Sequence, residues 1–134
     1  MAVALPALIA VVPGPRHSRR AGGHITAAAT DTILPRKMIV LGDSIFHGRV
    51  AGGRCFVCHG PKGKGTPGIA PDLTDAKWLH GDGTYGFIIN LVDTGVPKPM
   101  AAAGPMPAKG GTPLSMAQVL AVSAFVYSLN NTAR

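Results

Sequence analysis

Cys55-Phe56-Val57-Cys58-His59 sets two thiols three residues apart, with an imidazole directly after them. Wound as one helical turn, the stretch brings both sulfurs to one region, with the imidazole beside them. Three chemistries use such a set. The thiols can cycle as a redox dithiol or bind zinc. They can also add to the two vinyl groups of a haem, leaving thioether bonds and a histidine on the iron. A dithiol enzyme calls for a βαβ setting, and no strand pattern precedes Cys55. Structural zinc needs a second ligand pair. The chain has only two cysteines, and His17, His24, His47 and His80 form no pair at the usual spacing. Haem attachment is the favoured reading, with one haem c per chain and His59 as proximal iron ligand.

The sixth iron position calls for a further donor. A thioether is a soft ligand, and His/Met coordination favours reduced iron. The methionines are Met1, Met38, Met100, Met106 and Met116. Met106 lies between Pro105 and Pro107 in loop sequence, which stiffens its backbone and suits a fixed contact. Met100, in Pro97-Lys98-Pro99-Met100, is the runner-up. Met38 and Met116 read as helix-packing residues. Water on the iron, or His47 or His80 as ligand, are the remaining options. Trp78 is a candidate for the haem edge, its indole N–H toward a propionate, although plain core packing explains it equally well. Tyr85 could act in the same way. Arg54, Lys77, Lys98 and Lys109 are either a ring around an exposed edge or solvated charges.

These residues need elements to hold them. Met38, Leu41 and Ile45 recur at helical spacing and predict a helix over 38–47. Glycines and prolines from Gly60 to Pro71 predict a loop. Tyr85, Ile88, Leu91 and Val92 predict a helix over 84–94, stopped by Gly95. Residues 95–113 again read as loop. Ser115 and Gln118 form a capping box for a last helix, striped by Val119, Val122, Val126 and Leu129. No strand pattern or internal repeat is present. Residues 1–12 are apolar but too short to span a bilayer as a helix. A basic Arg16–Arg20 cluster follows them, an odd order for a secretory leader. We therefore divide the chain into residues 1–31, a targeting leader or disordered segment, and 32–134, one domain. The apolar start could also hold that domain at a membrane.

The chain of 134 residues suits a single domain. Its formal charge of +7 comes from 13 Lys and Arg against six Asp. The bases are dispersed without an aromatic stacking pattern, which argues against nucleic acid and leaves acidic proteins or membranes as partners. Aromatics make up only 5% of the residues, so a large apolar cofactor would supply interior that the side chains do not.

The order of these features resembles the class I, single-haem bacterial cytochromes c over about residues 40–130. Gly42 and Phe46 resemble the glycine and aromatic of that family's first helix. Gly68-Ile69-Ala70-Pro71-Asp72-Leu73 resembles the loop whose proline carbonyl accepts the haem-histidine N–H. Gly104-Pro105-Met106-Pro107 resembles the loop that supplies the sixth ligand, and Phe125 and Leu129 resemble the last helix, which crosses the first. The stretch from Gly42 to Cys55 exceeds the family's compact form by about four residues, within 47–53. The resemblance implies an all-α cytochrome c fold of three to five short helices around one covalent haem. It implies Pro71 as the residue orienting His59, and a periplasmic location. The function it implies is one-electron transfer between redox proteins (a dehydrogenase, an oxidase or another cytochrome) in a respiratory or dehydrogenase chain, without enzyme activity. The alternatives are a gas sensor or small peroxidase-like catalyst with an open iron site, and a permanent haem subunit of a dehydrogenase or oxidase complex.

Overall fold

The computed structural model describes Met1 and residues 34–131. The expected leader, residues 1–31, lies outside the described residues apart from Met1, and so does the boundary drawn after it. The architecture is all-α, with four α-helices and one 3-10 turn, at Ala108–Gly111, among the described residues. The helices are α1 (Arg36–Phe46), α2 (Cys55–His59), α3 (Tyr85–Thr94) and α4 (Met116–Asn131). No strand occurs among the described residues, only isolated bridges joining Thr66 to Ala70 and Val96 to Met106.

Helix α1 begins at Arg36, two residues earlier than its apolar spacing predicts. Pro35 stands at its N-cap, and the Pro35 carbonyl accepts the Met38 N–H at 2.8 Å. The buried face also differs from expectation. Gly42, Ile45 and Phe46 are buried, whereas Leu41 is 40% exposed. The reason is Gly42. A Cβ there would lie 2.0 Å from the Ala121 carbonyl oxygen and 2.8 Å from Phe125 Cβ, so α1 turns its glycine onto the backbone of α4. Phe46 then packs on Phe125, with ring centroids 5.2 Å apart.

Helix α4 starts with the expected capping box. The Ser115 N–H donates to Gln118 Oε1 at 2.8 Å, and the Gln118 N–H donates to Ser115 Oγ at 3.4 Å. Val119, Val122 and Val126 are buried, and Leu129 is half-buried against Gly63. Helix α3 is capped by Thr84, whose hydroxyl accepts the Phe87 N–H, and it ends at Gly95 with φ +74°. Tyr85 joins α3 to α4 by donating its hydroxyl to the Leu120 carbonyl at 2.9 Å. The core gathers Ile45, Phe46, Ile88, Val92, Leu114, Val119, Val122 and Val126, with Cys55 and Trp78 packed on its edge.

The α1/α4 crossing gives two predictions of opposite sign. Gly42→Ala forces backbone apart and should cost roughly 1–3 kcal/mol or more, lowering the thermal midpoint by several degrees in a far-ultraviolet melt. Gly86→Ala, also in a helix but with nothing within 4 Å of the added Cβ, should raise it through a gain of up to about 1 kcal/mol.

Candidate metal centre

Helix α2 is the single turn Cys55–His59. The chain reaches it through residues 47–53, the stretch longer than the compact form. Gly53 allows the approach, because a Cβ there would lie 1.9 Å from the Ile45 carbonyl oxygen. Cys55 and Cys58 are free thiols, the first half-buried and the second exposed. Burial pushes the Cys55 thiol above its ordinary pKa, and the neighbouring Cys58 adds to the shift. The shift favours the neutral thiol at Cys55, and neither sulfur is tied up in a disulfide.

His59 is 8% exposed. Its Nδ1–H donates to the Pro71 carbonyl at 3.1 Å. This bond fixes the tautomer and leaves the Nε2 lone pair available, with no hydrogen-bond partner among the described residues. Burial holds the imidazole below the ordinary histidine pKa, and the Pro71 carbonyl partly opposes it. His59 is thus a neutral, oriented nitrogen donor at neutral pH.

The Pro71 loop is held from three sides. Gly65 donates its N–H to the His59 carbonyl at 2.8 Å, and a Cβ on Gly65 would lie 2.6 Å from the Pro71 carbonyl carbon. Asp72 accepts from the Thr74 amide and hydroxyl, each at 2.7 Å, and pairs with Lys64 at 3.6 Å. The Thr74 bonds hold the Asp72 carboxyl below its usual pKa. The Gly68 carbonyl accepts the Ala103 N–H at 2.8 Å, tying this loop to the segment that leads to Met106.

Met106 and Met100 differ sharply. The backbone of Met106 is bonded on both sides to Val96, which donates to its carbonyl at 2.9 Å and accepts its N–H at 3.1 Å. Its side chain is half-buried, whereas Met100 is 72% exposed on a bend. Met116 is 53% exposed, so it is not the packing residue its helical position suggested. The ring nitrogens of His47 are both engaged. Nδ1 lies 2.9 Å from the Asp43 carbonyl oxygen and Nε2 2.7 Å from that of Pro61. His80 lines an open surface groove with Asn90, Leu91, Thr94 and Lys98. Trp78 is half-buried, with its indole packed over Gly83.

The structure also brings in a turn that the sequence patterns did not single out, and a partner for Lys109. The 3-10 turn after Met106 packs on α3, and a Cβ on Gly110 would sit 3.7 Å from Cys55 Sγ. The turn thus lies between the thiol and α3. Lys109, within it, pairs with Asp93 of α3 at 3.3 Å. The Gly110-Gly111 pair was the one sequence signal for this turn.

Comparison with known proteins gives a consistent picture. The family model described as Cytochrome c matches residues 41–130. The chain is 37% identical over 81 residues to the Cbb3-type cytochrome c oxidase subunit CcoP of Rubrivivax gelatinosus, covering 58% of this chain and 23% of that protein. It is 36% identical over 76 residues to the Cbb3-type subunit FixP of Bradyrhizobium sp. (strain ORS 278), covering 56% and 23%. The chain therefore spans about a quarter of the length of these relatives. Among solved structures, cytochrome CL from Methylophaga aminisulfidivorans MPT shares the fold, with a TM-score of 0.53 and 21% identity over 70% of this chain and 54% of that one.

Two tests follow from the loop geometry. Gly65→Ala should push the Pro71 peptide from His59, so the Nδ1 proton should exchange faster by nuclear magnetic resonance and the thermal midpoint should fall. Asp72 stabilises the fold above its unfolded pKa, about 3.9, and that contribution disappears as pH falls through the lower folded value. Asp72→Asn should therefore melt earlier than the parent at pH 7, and the gap should close in acid.

Proposed function

The chain belongs to the cytochrome c family, and from that premise we propose that it is a one-electron shuttle whose haem is borne by Cys55 and Cys58 and whose iron is held by His59 and Met106. Haem c, as in the rest of the family, is bound covalently and supplies a reversible Fe(II)/Fe(III) couple. The observation that carries the residue assignment is the donor set of α2: two free thiols in one helical turn, followed by an imidazole whose Nε2 is not used by the protein.

The protein's own part is to hold these donors still. His59 stays neutral through burial and is oriented by Pro71. Met106 is supported by a backbone bonded on both sides to Val96. Little then needs to rearrange when charge moves, which suits rapid transfer. Axial ligands and burial set the potential. With His59 and Met106 both given to the iron, the protein would leave no open place there for a substrate, so we infer an electron carrier without catalysis of its own. Pro71 acts as the positioning residue of His59, and Trp78, half-buried at the edge of the core, would line the haem edge.

The partners on this reading are redox proteins, such as a dehydrogenase, an oxidase or another cytochrome, in a respiratory or dehydrogenase chain. The bacterial relatives support export to the periplasm. No helix among the described residues is long and apolar enough to cross a membrane.

The test is the reduced-minus-oxidised visible spectrum of matured protein, followed by carbon monoxide addition to the reduced form. A pigment retained in acidic acetone and a weak sulfur-to-iron band in the red are expected. Carbon monoxide should bind the parent slowly and Met106→Ala rapidly, with a Met100→Ala variant resembling the parent. Fast binding by the parent would replace the shuttle with an open-iron sensor or catalyst.

A further inference from the structure

Lys109 is out of place on backbone grounds. Its φ is +56° and ψ is +25°, the left-handed region that favours glycine. The next two residues, Gly110 and Gly111, are glycines at φ +65° and +76°. A lysine at the head of this run therefore contributes something a glycine lacks. Its Nζ lies 3.3 Å from Asp93 Oδ1, with each side chain about one-third exposed (33% and 35%). Asp93 sits in the last turn of α3, where a negative charge opposes the helix dipole and no basic residue of the helix offsets it. The cation comes instead from the loop. Between the two partners the chain runs through Gly95, the Val96–Met106 bridge and Pro107. A Cβ on Gly95 would lie 2.5 Å from the Met106 carbonyl oxygen.

The bridge holds Met106 from its N-terminal side, and the ion pair closes the same segment from its C-terminal side. Beyond Lys109, the Lys109 carbonyl accepts the Thr112 hydroxyl at 2.9 Å, which stiffens the turn. We propose that Lys109 is a positioning residue for the sixth iron ligand: its ion pair with Asp93 latches the Met106 segment onto α3 and limits how often Met106 leaves the iron. This inference rests on Met106 being that ligand, and the controls below separate the two.

The test uses haem-loaded full-length protein in the reduced state and reads the rate of carbon monoxide binding, which requires Met106 to move away. Asp93→Asn and Lys109→Met approach the latch from its two ends. Each should bind carbon monoxide about two- to fivefold faster than the parent, the range set by the strength of a surface ion pair. The double variant should be no faster than either single one, and Lys109→Arg should restore the parent rate. Raising salt should speed the parent toward the variants without changing them, a measurement that needs no substitution. Independently of ligand binding, the Met106 amide proton should exchange faster in Asp93→Asn.

Met106→Ala is the control. If it binds carbon monoxide rapidly while Asp93→Asn and Lys109→Met match the parent in both readouts, the latch is refuted and the ligand assignment stands. If Met106→Ala is as slow as the parent, the ligand assignment fails and the latch with it.

Discussion

The close crossing of α1 and α4 is the constraint on which the rest of the molecule rests. Gly42 has no side chain because the Ala121 carbonyl occupies the space a Cβ would need. That contact turns Ile45 and Phe46 into the core and lays Phe46 on Phe125. The Ile45 carbonyl then becomes the surface over which Gly53 passes, two residues before Cys55. The position of α2 thus follows from two places where backbone touches backbone. No strong polar interaction is needed there, only the absence of a methyl group. A chain with so few aromatic residues gains from this, since near contact of helices removes volume that large side chains would otherwise fill.

The two sides of the proposed metal centre are held by different physics. His59 follows Cys58 directly, so the attachment points and the nitrogen ligand move as one short helix, and burial and one carbonyl tune the nitrogen. Met106 lies 47 residues further along and depends on tertiary contacts for its place. Those contacts converge on the C-terminal end of α3: the Gly95 turn, the paired Val96 bonds and the Asp93 carboxylate. Helix α3 in turn leans on α4 through the Tyr85 hydroxyl and the Tyr85–Tyr127 ring contact. Helices α3 and α4 therefore also set the place of Met106, the proposed second ligand.

Much of this was legible in the sequence wherever the determinant was local. The helical turn of Cys55–His59, the Ser115/Gln118 capping box and the Gly95 stop each act within a few residues, and each forms as the pattern indicated. The all-α class was implied by the family resemblance, and the helical spacing without strand alternation agreed with it. What the sequence hid is tertiary. Leu41 belongs to the apolar spacing of α1 yet faces outward, because the crossing glycine selects a different face. His47 has the chemistry of a ligand, but Asp43 and Pro61 engage both its nitrogens, and Pro61 lies 14 residues away. The Asp93–Lys109 pair joins residues 16 apart, with no local pattern to announce it.

A soft ligand on a loop and a nitrogen ligand on a covalently tethered turn cannot be equally secure. Opening the His59 side would mean pulling a buried imidazole off the Pro71 carbonyl and moving the short helix that carries both proposed attachment thiols. Opening the Met106 side means breaking two backbone hydrogen bonds and one partly exposed ion pair, each net worth only about 1 kcal/mol or less. On the proposed assignment, the fold would combine a nearly permanent fifth ligand with a sixth that is the first to yield. For an electron carrier this asymmetry is useful only if the opening stays rare, and rarity then depends on small terms at the end of α3. The tuning of such a site lies less in the motif that announces it than in the modest contacts that keep a distant loop closed.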